Sequence, residues 1–212
     1  IKLIIKKKEE KFYFKLKRKP LFVRLDPDHT CPCKKVKLEL PRSMVREQLK
    51  RDADPIGRIQ AAATLTRNPS HEDVRLLSDC LRKEKFWGVA NRIASALAKI
   101  GGDSARDGLI RGLKSDCPKT RHGVVKALGG FQGDTKVVKA LRTATGDASC
   151  RVEAEAFRSL GKMKDAGLAS FLESGLEKKS HNDMTQMAIL QALGLLENRE
   201  CWATLKQYAE YG

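Results

Sequence analysis

The chain has 212 residues, with 42 Lys or Arg against 26 Asp or Glu, for a formal charge of +16. A hydrophobic content of 41% is enough to build a core, which excludes wholesale disorder. No apolar run approaches the roughly 18 residues of a membrane span, which excludes a transmembrane helix. The sequence opens IKLIIKKKEE, without an initiator Met or the apolar stretch of a signal peptide, and reads as a piece of a longer chain. Six cysteines share no spacing pattern, so reduced thiols and a cytoplasmic location are expected. The charge is uneven. Residues 1–40 hold 13 basic and 5 acidic residues, a net of +8, while residues 41–212 hold 29 and 21, also +8.

The first forty residues alternate. Ile1, Leu3 and Ile5 are followed by Phe12, Phe14 and Leu16, then Leu21, Val23 and Leu25, and finally Val36, Leu38 and Leu40. Lysines fill many of the positions between them. Period-two spacing predicts short antiparallel strands, apolar on one face and Lys-rich on the other. Three or four such strands cover only one side of a core, so residues 1–40 are expected to be the end of an incomplete β-sandwich. The Lys-rich face reads as a solvated surface that resists edge aggregation.

After Pro41 the spacing becomes helical and a repeat appears. Segments beginning at Asp54, Phe86, Pro118, Cys150 and Asn182 follow one another every 32 residues. Each has a central leucine flanked by small residues: Leu65, Leu97, Leu128, Leu160 and Leu193. Four residues earlier stands Ala61, Ile93, Val124, Ala156 or Ile189, which lays a narrow apolar stripe along each helix. A second column, Leu77, Leu109, Leu141, Leu172 and Leu205, marks the partner helices. Residues 41–212 are therefore expected to be an α-solenoid of about five helical hairpins, each burying its stripe against its neighbours.

Polar residues recur at the junctions. Asp52 and Asp54 precede Arg58, Asp116 precedes Arg121, and Asp147 precedes Arg151. Such aspartates cap helices, and the arginines are read as an inter-repeat ladder: Arg58, Arg121 and Arg151. The competing reading is an Arg stripe that binds phosphate. It is disfavoured because each Arg has an acidic neighbour and because no basic residue falls between His181 and Asn198. Phe86 and Trp87, at a helix start, are either a packing wedge between units or a contact for a partner.

No catalytic constellation is visible. His71-Glu72 begins like HExxH, but position 75 is Arg, so the pair of zinc ligands is missing. His29, Cys31 and Cys33 form an HxCxC cluster without CxxC spacing or a fourth ligand. Asp26-Pro27-Asp28 reads as a turn. Gly129, Gly130 and Gly133 follow a helix rather than open one, the wrong order for cradling phosphate. No cofactor or metal site is assigned.

The stretches LFVRLDPD (21–28), SMVREQLKRDADPIGRIQAAATL (43–65), KFWGVANRIASALAKIG (85–101) and SHNDMTQMAILQALGLL (180–196) resemble the C-terminal half of aminopeptidase N family zinc metallopeptidases. The resemblance implies that the solenoid is a HEAT-like superhelix attached to a β-sandwich that ends at the turn Val23-Arg24-Leu25-Asp26-Pro27. It further implies an upstream catalytic domain in the same polypeptide, holding the zinc, with this chain as a non-catalytic scaffold that shapes substrate access. The family's HExxH and GxMEN elements have no counterpart here, so no catalytic residue is carried over. The other reading is a stand-alone helical-repeat protein that binds an acidic protein or nucleic acid through a basic surface, with a peptide or protein partner preferred over nucleic acid.

Overall fold

The computed structural model describes residues 4, 6, 9–27, 38–178 and 181–209. Among them lie eleven α-helices: α1 (Arg42–Arg51), α2 (Pro55–Leu65), α3 (His71–Lys83), α4 (Trp87–Ile100), α5 (Gly102–Gly112), α6 (Pro118–Leu128), α7 (Thr135–Ala144), α8 (Cys150–Gly161), α9 (Ala169–Ser174), α10 (Met184–Leu195) and α11 (Trp202–Ala209). None is long and apolar enough to cross a membrane.

The starts and stops are written locally. Pro55 and Pro118 open α2 and α6, where a missing N–H costs nothing. Asp54 caps α2 by accepting from the Ile56 N–H, and Asp134 caps α7 by accepting from Lys136 and Val137. Ser70 and Asp73 form a reciprocal capping box on α3. Gly101 ends α4 at φ +73°, a conformation that costs a residue with a Cβ.

Consecutive helices pair as hairpins, α1 with α2 through α9 with α10, and α11 follows the last pair. The even-numbered helices also pack each on the next, from α2 through α10, as one unbroken row. The odd-numbered row is close only between α3 and α5 and is sparse from α5 to α7. A row that stays in contact while its partner row opens lies on the inside of a curved stack, so the even row is the inner one. Both leucine columns are buried as expected. Leu65, Leu97, Leu128, Leu160 and Leu193 lie inside, as do Leu77, Leu109, Leu141 and Leu172, while Leu205 is partly buried. The core is thus a ribbon between the rows, with Phe157 its largest fully buried side chain.

The expected strands are not formed. Among the described residues there is no strand. Phe12, Phe14, Leu16, Leu21, Val23 and Leu25 are exposed, and so is Tyr13 on the opposite phase. Alternation makes a strand only where a neighbouring strand takes the backbone hydrogen bonds and a layer covers the apolar phase. Among the described residues, neither is present around residues 9–27. Asp26 and Pro27 do lie in a bend, with Asp26 at φ +49°. Ile1, Leu3, Ile5 and Val36 fall outside the described residues, as do Asp28, His29, Cys31 and Cys33.

Candidate binding surface

Two members of the expected arginine ladder occupy equivalent places. The Nε and Nη2 of Arg58 donate to the two carboxylate oxygens of Glu84 at 3.0 and 3.1 Å, and its Nη1 reaches the carbonyls of Asp52 and Ala53. Arg121 repeats this two repeat units later, on α6. Its fork meets Asp147 at 2.7 and 2.8 Å, and its Nη1 reaches the carbonyls of Ser115 and Asp116. The hydrogen bonds from Arg121 hold the Asp147 carboxyl below the ordinary range, against the pull of burial. Arg151 differs: it is exposed and makes no hydrogen bond or ion pair to a described residue. At this junction the rung is reversed in sign, with Lys178 donating to Glu153 at 2.7 Å. Arg24, in the N-terminal segment, reaches Asp52 at 3.4 Å and also pairs with Asp54, so it supplies a rung before the first hairpin.

The outer row has its own buried carboxylate. Asp73 accepts from Arg42 Nε at 2.9 Å, Arg46 Nε at 2.7 Å and both the Ser70 N–H and hydroxyl. Burial pushes its pKa up, but the hydrogen bonds from Arg46, Arg42 and Ser70 outweigh this and hold the carboxyl well below the carboxylate range. Burial also pushes the Cys80 thiol up to about 11, which favours its protonated form at neutral pH.

Once these pairs are set aside, unpaired cations remain on both rows, Arg75, Lys136, Lys139 and Arg142 of the outer helices among them, and the inner row is set apart by its scarcity of acids. Helices α2, α4, α6 and α10 contain no acidic residue, and the only two on the inner row are Glu153 and Glu155 of α8. On the inner surface α4 presents Arg92 and Lys99, α6 presents Lys119, His122 and Lys126, and α8 with its end presents Arg151, Arg158 and Lys162. Spacings of three, four and seven residues keep each set on one helical face. Arg92, Lys99, Lys126 and Arg151 are exposed and form no ion pair with a described residue. Lys119 stands over the Trp87 ring, 5.1 Å from its centroid.

The strip has apolar ends. Ile56, Phe86 and Trp87 are each more than 40% exposed at the α2–α4 end, and the two aromatic rings lie 6.0 Å apart. Met187 and Leu195 are exposed on α10 at the other end, beside Gln191. Phe86 and Trp87 are therefore no buried wedge; they form a half-exposed shoulder beside the strip. The clearest alternative recess is a cavity of about 550 Å³ between the C-terminal ends of α1 and α3, floored by Leu49, Leu76 and Cys80. Its rim cations are largely matched, since Lys50 and Arg51 pair with Glu47, and Arg58 with Glu84. Among the described residues, no group of three His, Cys, Asp or Glu is arranged to hold a metal ion.

A sequence reading that weighs each Arg against acids nearby in the chain misses this strip. The signal was present: inner helices with basic residues but almost no acidic ones, in register with the leucine column. Lys126 and Arg158 each lie two residues before a column leucine, and Lys99 and Lys162 two residues after one.

A family model for HEAT repeats matches residues 106–194, from α5 into α10. Among solved structures, the chain is similar to human deoxyhypusine hydroxylase in complex with glycerol, at 18% identity over 74% of this chain and 73% of that one, with a TM-score of 0.46. It is also similar to an engineered protein, at 21% identity over 72% and 78%, with a TM-score of 0.42. No curated protein matches the sequence at a significant level. Residues 106–194 thus match the HEAT-repeat pattern, within a stack of helical hairpins that begins at α1. The resemblance to the aminopeptidase N family is overturned. It depended on a sandwich edge running into the Asp26-Pro27 turn, and the described residues there form no strand, while the family match is to HEAT repeats. The small–Leu–small columns behind that resemblance are what any closely packed helical repeat needs.

Proposed function

We propose that the chain is a non-catalytic HEAT-repeat binding scaffold whose inner surface receives an acidic segment of a partner protein. The observation that carries this is the basic strip across α4, α6 and α8, in which Arg92, Lys99, Lys126 and Arg151 form no ion pair with a described residue, flanked at both ends by exposed apolar side chains. From α2 to α10 there are four inter-helix steps of about 10 Å, which an extended segment of about twelve residues would span. Such a segment would place its acidic centre over Arg92, Lys126 and Arg158 and its apolar ends against Ile56 and Trp87 on one side and Met187 and Leu195 on the other. A nucleic-acid backbone is uniformly charged and would gain nothing from the neutral surface of α10, so a protein partner fits better.

The test is fluorescence anisotropy with an Asp/Glu-rich peptide of about twelve residues carrying leucines at both ends. Binding that weakens with salt and is lost in the Lys99→Glu, Lys126→Glu, Arg158→Glu variant supports the proposal. Undiminished binding by that folded variant, or tighter binding of a mixed-sequence oligonucleotide by the native chain, would overturn it.

A further inference from the structure

The middle of the strip has a centre that the overall charge does not explain. Glu155 of α8 has a side chain only 9% exposed, and two cationic side chains, Arg158 and Lys162, and the His122 imidazole stand around it. His122 Nε2 lies 3.8 Å from one carboxylate oxygen and Arg158 Nη1 3.7 Å from the same oxygen. Lys162 Nζ lies 3.7 Å from the other. These distances suit charge attraction but are too long for hydrogen bonds, and Glu155 accepts none from a described residue. Arg158 is nonetheless held in place, because its Nε donates to Gln191 Oε1 of α10 at 2.8 Å. Its terminal N–H groups form no hydrogen bond with a described residue, and all three side chains remain about one-third exposed.

A buried carboxylate encircled without being bonded acts as a pin. It offsets the repulsion of gathering like charges while leaving their donors unspent. A second carboxylate arriving from solvent would compete with Glu155 on equal terms. A phosphate monoester carries up to twice that charge and three acceptor oxygens, enough to engage a guanidinium fork, an ammonium and an imidazole together. We propose that His122, Arg158 and Lys162, gathered round Glu155, form a receiving site for a phosphorylated side chain within the partner's acidic segment. This rests on the acidic-segment reading above and names the modification that would regulate it.

The experiment compares two fluorescent peptides of the acidic, leucine-ended kind, identical except for serine or phosphoserine at the centre, on the full chain. The phosphorylated form is expected to bind roughly tenfold more tightly. The preference should vanish in the Arg158→Ala, Lys162→Ala variant and grow in Glu155→Gln, where the competing charge is gone. Circular dichroism melting shows that each variant is folded. In parallel, phenyl phosphate should shift the side-chain NMR signal of His122, and benzoate should not. Equal affinity for the two peptides, or a preference that survives in the folded double variant, would overturn the phosphate site and leave the scaffold reading standing. Loss of both peptides from the native chain would remove both proposals, unless phenyl phosphate still shifts His122, in which case only the scaffold reading falls.

Discussion

At the scale of single residues, the ion pairs divide into those that hold hairpins together and those that face solvent. Arg121 and Asp147 are mostly buried and share a two-point fork, so removing one partner leaves the other poorly solvated. Arg121→Ala should cost about 2 kcal/mol in urea denaturation, whereas Arg151→Ala should change stability by less than about 0.5 kcal/mol. Equal effects would show that the forked rung contributes nothing special. Asp73 makes the corresponding case for pH. Its folded pKa lies below its unfolded one, so its contribution to stability is complete above about pH 4 and is lost as the pH falls further. Asp73→Asn should therefore destabilise the chain by about 3 kcal/mol at neutral pH, and by progressively less in acid. A constant difference between the two proteins from neutral pH down to about 2 would contradict that assignment.

At the scale of elements, glycine marks where helices touch. A Cβ on Gly161 would come within 2.6 Å of the Ala192 Cα, so α8 and α10 meet backbone to backbone. Gly161→Val should separate them and cost about 3 kcal/mol, read as a lowered urea midpoint. Gly194, inside α10, has nothing within 4 Å of a Cβ position, and Gly194→Ala should instead stabilise by about 0.5–1 kcal/mol. The helices themselves were legible in the sequence, because a leucine column every 32 residues is a packing requirement written directly into side chains. The strands were misread for the opposite reason. The alternation of Phe12, Phe14 and Leu16 states a preference that only a neighbouring strand can realise, and nothing local to the segment says whether one exists. The junction arginines were half legible. Arg58 and Arg121 have the same surroundings in space, but Asp147, close to Arg151 in sequence, turns instead to Arg121 in the previous hairpin.

At the scale of the molecule, the net charge of +16 is shared by both rows of helices, and what differs between them is where the acids stand. Acidic residues gather on the outer helices and in the connections, where they close the ladder and the capping box of α3, and on the inner row Arg92, Lys99, Lys126 and Arg151 form no ion pair with a described residue. Summing charge along the chain hides this, because the sum does not know which face each residue takes. The most direct measurement is a chemical-shift map of the full chain titrated with the acidic, leucine-ended peptide. The backbone signals of Arg92, Lys99, Lys126 and Arg158 should move together and saturate at one concentration, with those of α1, α3 and α5 unmoved. Shifts confined to the cavity between α1 and α3, or spread evenly over both rows, would contradict the inner basic strip as the binding surface.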